Sequence, residues 1–244
     1  FLGTAAAFTI VPRHVLGGPA HTPPSETVYL ASIGSGGRAR ANLNECDIPG
    51  AKVAAMCDVD QGEAAKMYER FHTAKKYVDF REMLDKEKGI DAVLVNTPDH
   101  THAVASMDVM RRGLHLFCEK PLARTIHEVR TLRHAARKYG VATQMGNWGH
   151  AMEHIRLFNE WVTDGAIGEV HTVETICDSV YCNIDRLHQM NEHPPVPKGL
   201  DWDLWLGPTP ERPYHPMYHP GAWRRWTQFG GGVIGDWVCH IIDP

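Results

Sequence analysis

A glycine-spaced turn, Gly34-Ser35-Gly36-Gly37-Arg38-Ala39, lies directly behind the apolar run Val28 to Ile33 and opens a helical pattern through Ala41 and Leu43. Its spacing is G-x-G-x-x-G/A. In that pattern the first glycine permits a tight turn and the second lets the backbone approach a pyrophosphate. A small residue at the third position allows close packing of helix on strand. The helix N-terminus adds unpaired N–H groups that suit phosphate. Glycine turns are common, so the spacing carries weight only through its context. That context includes Asp58, 24 residues after Gly34 at the end of the next apolar run, Ala51 to Cys57. A carboxylate there can accept hydrogen bonds from a ribose diol. These residues point to dinucleotide binding, with NAD favoured over NADP. Arg38 keeps NADP possible.

Three further residues could do chemistry on a bound substrate. Lys120 follows the apolar run Leu114 to Cys118, so its ammonium would sit at a strand's carboxyl end, near the nicotinamide of such a cofactor. Desolvation and positive neighbours would lower its pKa, and the adjacent Glu119 would act oppositely. Asp236 and His240 are four apart, which on a helix puts both on one face. There a carboxylate can orient an imidazole serving as general base or substrate donor. Oxidising a secondary alcohol needs such a group, because the hydroxyl proton must leave as hydride departs. A plain helix with polar surface residues would explain Asp236 and His240 taken alone. Their company with Lys120 and the glycine turn favours catalysis.

These residues need a scaffold, and the chain alternates strand and helix patterns. Val28–Ile33, Ala51–Cys57, Asp91–Asn96, Leu114–Cys118 and Val141–Met145 are expected strands. Ala64–Phe71, Ala103–Arg112 and Ile126–Tyr139 are expected helices. Continuous apolar strands between amphipathic helices imply a parallel sheet covered on both faces, a doubly wound α/β domain. Ligands in such sheets sit beyond the carboxyl ends of the strands. Asn96-Thr97-Pro98 should therefore face the cofactor, with Pro98 ending the strand and Asp99 or Thr101 capping the next helix.

A boundary is expected near residue 147. All seven tryptophans follow it, and charge shifts from 18 basic and 15 acidic residues over 28–147 to 6 and 13 over 148–244. The 244 residues carry a net charge of −4, with 43% hydrophobic and 22% charged. That composition argues against disorder and against nucleic-acid binding through global charge. No run of about 18 apolar residues is present for a membrane span. The six cysteines show no CxxC pair and read as mostly buried thiols rather than a disulfide scaffold. His150-Ala151-Met152-Glu153-His154 fits H-x-x-E-H, but with sixteen histidines chance matches are expected, and no metal is assigned. The stretch Tyr214 to Trp226 could form a sugar-binding wall or a Pro-stiffened loop packed on its own domain. Residues 1–26 read as an export-signal remnant or a linker arm.

Taken in order, the fingerprint, Asn96-Thr97-Pro98, Glu119-Lys120-Pro121, Gly146-Asn147 and Gly230-Gly231-Gly232-x-x-x-Asp236-x-x-x-His240 resemble the glucose–fructose oxidoreductase / inositol dehydrogenase / rhizopine-catabolism (Gfo/Idh/MocA) family of NAD(P)-dependent oxidoreductases. The resemblance covers about 28–244. It implies a Rossmann domain over 27–147, followed by an α+β substrate domain over 148–244 that is truncated relative to the family. His240 is then the expected proton acceptor, Lys120 polarises the hydroxyl, and Asp236 supports both. His102, Glu119 and Asn147 join the expected cofactor-facing set. The expected substrate is a sugar, polyol or sugar derivative, and the full-length protein is expected to form homo-oligomers. Glycoside hydrolysis through transient oxidation, or non-catalytic binding, are the alternatives. The stretch Leu200 to Pro208 resembles exported members, so periplasmic residence is expected, with cytoplasmic residence as the alternative.

Overall fold

The computed structural model describes residues 22–179, 181 and 184–242. Residues 1–21, most of the expected N-terminal arm, and Cys182 lie outside the described residues. Six parallel strands form one sheet in the order β3-β2-β1-β4-β5-β6: β1 (Val28–Ile33), β2 (Ala51–Cys57), β3 (Lys75–Tyr77), β4 (Ala92–Val95), β5 (His115–Glu119) and β6 (Thr143–Gly146). Helices α1 (Ala39–Glu45), α2 (Gln61–Arg70), α3 (Phe80–Lys86), α4 (Asp99–Arg111) and α5 (Ile126–Tyr139) connect them. This is the Rossmann arrangement expected from the alternating pattern. β3 and α3 are additions to that expectation.

Two cores cover the sheet. On one face Ala31, Ile33, Val93, Val95 and Cys118 pack against Met83, Val109, Met110 and Leu132. On the other, Val53 and Met56 pack against Leu43, Ala64, Met67 and Tyr68. Helix α5 has both ends fixed by local chemistry. Thr125 and Glu128 form a reciprocal capping box at its start, and Gly140 at φ 64° ends it.

Beyond β6 the chain carries helices and turns. Helix α6 (Glu153–Thr163) exposes Leu157, Phe158 and Trp161. The H-x-x-E-H stretch straddles a break, since a 3-10 turn ends at Ala151 and α6 starts at Glu153. Among the described residues no strand follows Gly146. Residues 170–179 have no regular structure, and Val173 and Ile176 are 77% and 85% exposed. A strand needs a pairing neighbour to be stable, and this segment has none among the described residues. Cys57 and Cys118 are buried, but Cys46, Cys177 and Cys239 are only partly so, and all five are free thiols.

A third core ties the C-terminal segment to the sheet domain. Leu200, Trp205, Leu206, Tyr214, Tyr218, Trp223 and Phe229 are buried together around helix α7 (Trp202–Leu206). Their aromatic rings meet edge-on at 4.8 Å between Trp205 and Phe229 and at 5.3 Å between Tyr218 and Phe229. His100 of α4 sits against both Trp205 and Phe229 and bonds the Trp205 carbonyl at 2.8 Å. Burial lowers its pKa to about 4, so the ring is neutral and donates through Nε2. The Tyr214–Trp226 stretch thus packs largely as a core.

Phe229 is fully buried where the two parts meet. Phe229→Ala should cost about 3–5 kcal/mol, read by urea unfolding. A loss below about 1 kcal/mol would show that the third core contributes little.

Candidate active site

A cavity of about 390 Å³ runs across the carboxyl ends of the strands. Val78 and Phe80 line its β3 end, Asp58 and the glycine turn its middle, and Glu119 and Lys120 its β5 end. The turn is shaped by close approaches. Gly34 has φ +82°, and a Cβ there would stand 3.0 Å from the Asn96 carbonyl carbon. A Cβ on Gly36 would stand 2.8 Å from the Glu63 Cβ. Packing on α2 therefore accounts for glycine at 36. At Gly37, φ +46°, a Cβ would meet nothing within 4 Å, so the open side of the turn lies there.

Asp58 is organised by this turn. Its Oδ2 accepts from the Ser35 and Gly36 N–H groups at 2.7 and 2.9 Å, and its Oδ1 from the Asp60 N–H at 2.9 Å. Burial raises its pKa, and these N–H groups oppose the rise. Ser35 is buried and points back to the Cys57 carbonyl, so it shapes the turn and does not line the cavity. Arg38 turns toward β5, where its Nε meets Glu119 Oε1 at 2.9 Å. It is thereby held away from the end of β2, where a 2′-phosphate would need it.

Glu119 is the hub of a buried network. Its Oε1 also accepts from Asn42 Nδ2 at 2.9 Å, and Oε2 accepts from the Lys120 N–H at 3.1 Å. Asn42 bonds Asn96 Oδ1 at 2.7 Å, and Asn96 bonds Ser32 Oγ at 3.1 Å. Thr97 and Pro98 line the cavity, and Thr97 Oγ1 is buried without a hydrogen-bond partner among the described residues. Neither Asp99 nor Thr101 caps α4. Asp99 accepts from the Gly231 N–H at 2.9 Å, and Thr101 bonds the Pro98 carbonyl at 3.0 Å.

Lys120 Nζ donates to the Asp236 carbonyl at 2.6 Å and to Asp236 Oδ1 at 2.5 Å. Arg224 Nε lies 3.1 Å from Asp236 Oδ2, and the Tyr181 hydroxyl donates to that same oxygen. Burial works to raise the Asp236 pKa, but Lys120, Tyr181 and Arg224 outweigh it and hold the carboxyl below its ordinary value.

Asp236 does not orient His240, contrary to the same-face expectation. Ile234–Val238 forms a π-turn before the short α8 (Cys239–Ile242), and that wider turn changes the alignment assumed for an α-helix. Asn147 orients the imidazole instead. His240 Nδ1 meets Asn147 Oδ1 at 2.7 Å, and Asn147 Nδ2 donates to the Cys239 carbonyl at 3.2 Å. The second bond fixes which amide atom faces the ring, so Nδ1 carries the proton and Nε2 keeps its lone pair. Burial lowers the His240 pKa, and the nearby Lys120 charge adds to the effect. Asn147 thus braces His240, and neither residue is among those that line the cavity.

His102 also lies outside the cleft. It is 1% exposed, with Nδ1 2.7 Å from the Pro121 carbonyl and Nε2 2.6 Å from the Thr97 carbonyl. Both partners only accept, so both ring nitrogens carry hydrogen and the ring is an imidazolium. Burial opposes that charge, but Cys118, Asp99 and the Pro121 carbonyl outweigh it and raise the pKa to about 9. His102 clamps the Thr97 loop to the segment after Lys120.

Asn42, Tyr181 and Arg224 complete the site and were not expected in these roles. Arg224 lies in the Tyr214–Trp226 stretch, whose sequence suggests a sugar wall or a packed loop. Nothing in spacing marks Asn42 or Tyr181, whose partners are 77 and 55 residues away.

A family profile described as "Oxidoreductase family, NAD-binding Rossmann fold" matches residues 29–147. Its companion, "Oxidoreductase family, C-terminal alpha/beta domain", matches residues 181–244. An alpha-N-acetylgalactosaminidase from Shewanella oneidensis is 29% identical over 61% of this chain and 34% of its own length. An inositol 2-dehydrogenase from Serratia proteamaculans is 28% identical over 59% of this chain and 41% of its own. The crystal structure of myo-inositol 2-dehydrogenase from Lactobacillus plantarum superposes with a TM-score of 0.55 at 25% identity, covering 59% of this chain and 43% of that one. The chain spans about a third of the length of the galactosaminidase.

The His102 clamp has a stability signature. A folded pKa raised to about 9 gives stabilisation that is complete below the unfolded value of about 6.5 and lost as pH rises through about 9. The sheet domain should lose up to about 3 kcal/mol over that window from this group. His102→Gln should flatten that part of the stability–pH curve, measured by urea unfolding at several pH values. An unchanged slope would mean the ring is not charged.

Proposed function

The chain belongs to the glucose–fructose oxidoreductase / inositol dehydrogenase / rhizopine-catabolism family, and from that premise we propose that it oxidises a secondary alcohol of a sugar or polyol with NAD. The observation that carries this is Lys120 at the β5 end of the cavity, held there by Asp236 of the C-terminal segment, whose turn runs on into His240. The cleft fits such a cofactor on three counts. The Gly37 and Arg38 N–H groups have no partner among the described residues and adjoin open space. Asp58 is held at the cavity wall by backbone donors. Thr97 Oγ1 is a buried orphan beside it.

When bound, the nicotinamide accepts or returns a hydride. The residues of this chain do the rest. Gly37 and Arg38 N–H groups at the start of α1 would hold the diphosphate. Asp58 would bind the adenosine ribose and disfavour a 2′-phosphate through charge repulsion, while Arg38 is committed to Glu119. That supports NAD over NADP. Lys120 uses two of its three N–H donors on Asp236. The third can polarise a substrate oxygen. His240 Nε2, kept neutral by its lowered pKa, takes the hydroxyl proton.

A second reading is favoured by the likeness to the galactosaminidase. In it the same groups act on a glycoside: oxidation would be transient, the leaving group would depart by elimination with loss of a neighbouring C–H proton, water would add in its place, and the hydride would return. Supplying NAD with a panel of cyclic polyols and sugars, and separately with nitrophenyl glycosides, separates the two. Net NADH formation supports the dehydrogenase. Nitrophenol release without net NADH supports the glycosidase.

On a turned-over substrate, Lys120→Met and His240→Ala should each lower kcat by about 100-fold or more while NADH still binds. The acid limb of the wild-type pH–rate profile should lie below the ordinary histidine value. Removing the Lys120 charge should move that limb upward. Near-normal turnover by His240→Ala would remove it from the mechanism.

A further inference from the structure

The segment His219–Arg224 crosses the cavity, and it is anchored on both sides of it. At one end His219 Nε2 lies 2.7 Å from Asp60 Oδ2. Asp60 stands two residues past Asp58, and its other oxygen caps α2 through the Gly62 and Glu63 N–H groups at 2.9 and 3.1 Å. That anchor is therefore fixed to the β2 side of the sheet. At the other end Arg224 Nε lies 3.1 Å from Asp236 Oδ2, and Asp236 holds Lys120 at the end of β5. Strands β1 and β4 lie between the two anchors. Pro220, Gly221 and Trp223 line the same cavity as Gly34, Asp58 and Thr97. Trp223 is buried at 5% exposure, with the Arg224 guanidinium 4.2 Å over its ring.

We propose that His219–Arg224 is the outer wall of the dinucleotide site, and that its His219 end closes over the adenosine half of the cofactor. This rests on the cofactor reading above and extends it to residues that lie outside the Rossmann domain. The C-terminal segment lines the cavity with Leu204, Trp205, His219 and Pro220, and the sheet domain lines it with Val59, Val78 and Phe80. Apolar and aromatic surfaces on two sides suit a flat heterocycle, with Asp58 placed for the ribose beside it. The His219–Asp60 latch leaves one ring nitrogen unused. Asp60 only accepts, so Nε2 donates to it, and Nδ1 is left buried without a partner among the described residues. A buried unpaired nitrogen costs free energy that contact with water relieves.

NADH and reduced nicotinamide mononucleotide, which lacks the adenosine half, distinguish the two ends. Both are titrated by nicotinamide fluorescence into the wild-type chain and His219→Ala. The proposal expects NADH affinity to fall about 10-fold in the variant and mononucleotide affinity to change less than about 2-fold. In the wild-type chain NADH should also slow hydrogen exchange at residues 221–224 more than the mononucleotide does. Unchanged NADH affinity together with no added protection overturns the proposal, and so does an equal loss for both ligands. A folded wild-type chain that binds no NADH overturns the cofactor reading itself, and this inference with it.

Discussion

The ion pair between Lys120 and Asp236 is the constraint on which the site depends. Both side chains are largely withdrawn from water, at 13% and 12% exposure. Withdrawing two charges is costly unless their geometry and remaining hydrogen bonds are good. Here Lys120 reaches both the carboxylate and the carbonyl of Asp236, and the free carboxylate oxygen is taken by Arg224 and Tyr181. Removing either partner would strand a buried charge. The pair therefore fixes where the π-turn sits relative to β5, and with it the position of His240.

Several contacts deliver the two partners to each other. Lys120 is aimed from one side by Glu119, which accepts its backbone N–H, and from the other by the His102 clamp on the Pro121 carbonyl. The turn carrying Asp236 is tied to the sheet domain by the Gly231 N–H on Asp99. Phe229, just before that turn, accepts the His100 N–H through its carbonyl at 3.1 Å. The four residues Asp99–His102 thus brace both halves of the site, although neither His100 nor His102 faces the cleft. A single helix start serves as the junction between cofactor domain and C-terminal segment.

Much of this was legible in the chain. Strands β1 and β2 and helix α5 have the bounds their patterns suggest, because continuous apolar runs and a capped amphipathic helix are strong local signals. Strand β3 was missed because Lys75-Lys76-Tyr77 is short, polar and at the sheet's edge, where no apolar run is required. Type and spacing point to the glycine turn, Asp58 and Lys120, and the structure sets these along one cavity. Spacing does not reveal their wiring. Asp236 and His240 were paired on the assumption of α-helical geometry, which a π-turn replaces. Motif position puts Asn147 and His102 in the cofactor-facing set but does not reveal their partners, which are His240 for one and two backbone carbonyls for the other. Such partners are set by tertiary contacts that leave no periodic trace.

On the proposed function a dinucleotide lies along the carboxyl ends of the sheet with its reactive ring at the Lys120 end. A crystal structure of the chain grown with NADH tests this most directly. Density is expected for the diphosphate at the Gly37 and Arg38 N–H groups, the adenosine ribose at Asp58 and the nicotinamide against Lys120, facing His240. A nicotinamide placed at the Val78–Phe80 end, or a dinucleotide bound outside the cleft, would contradict it.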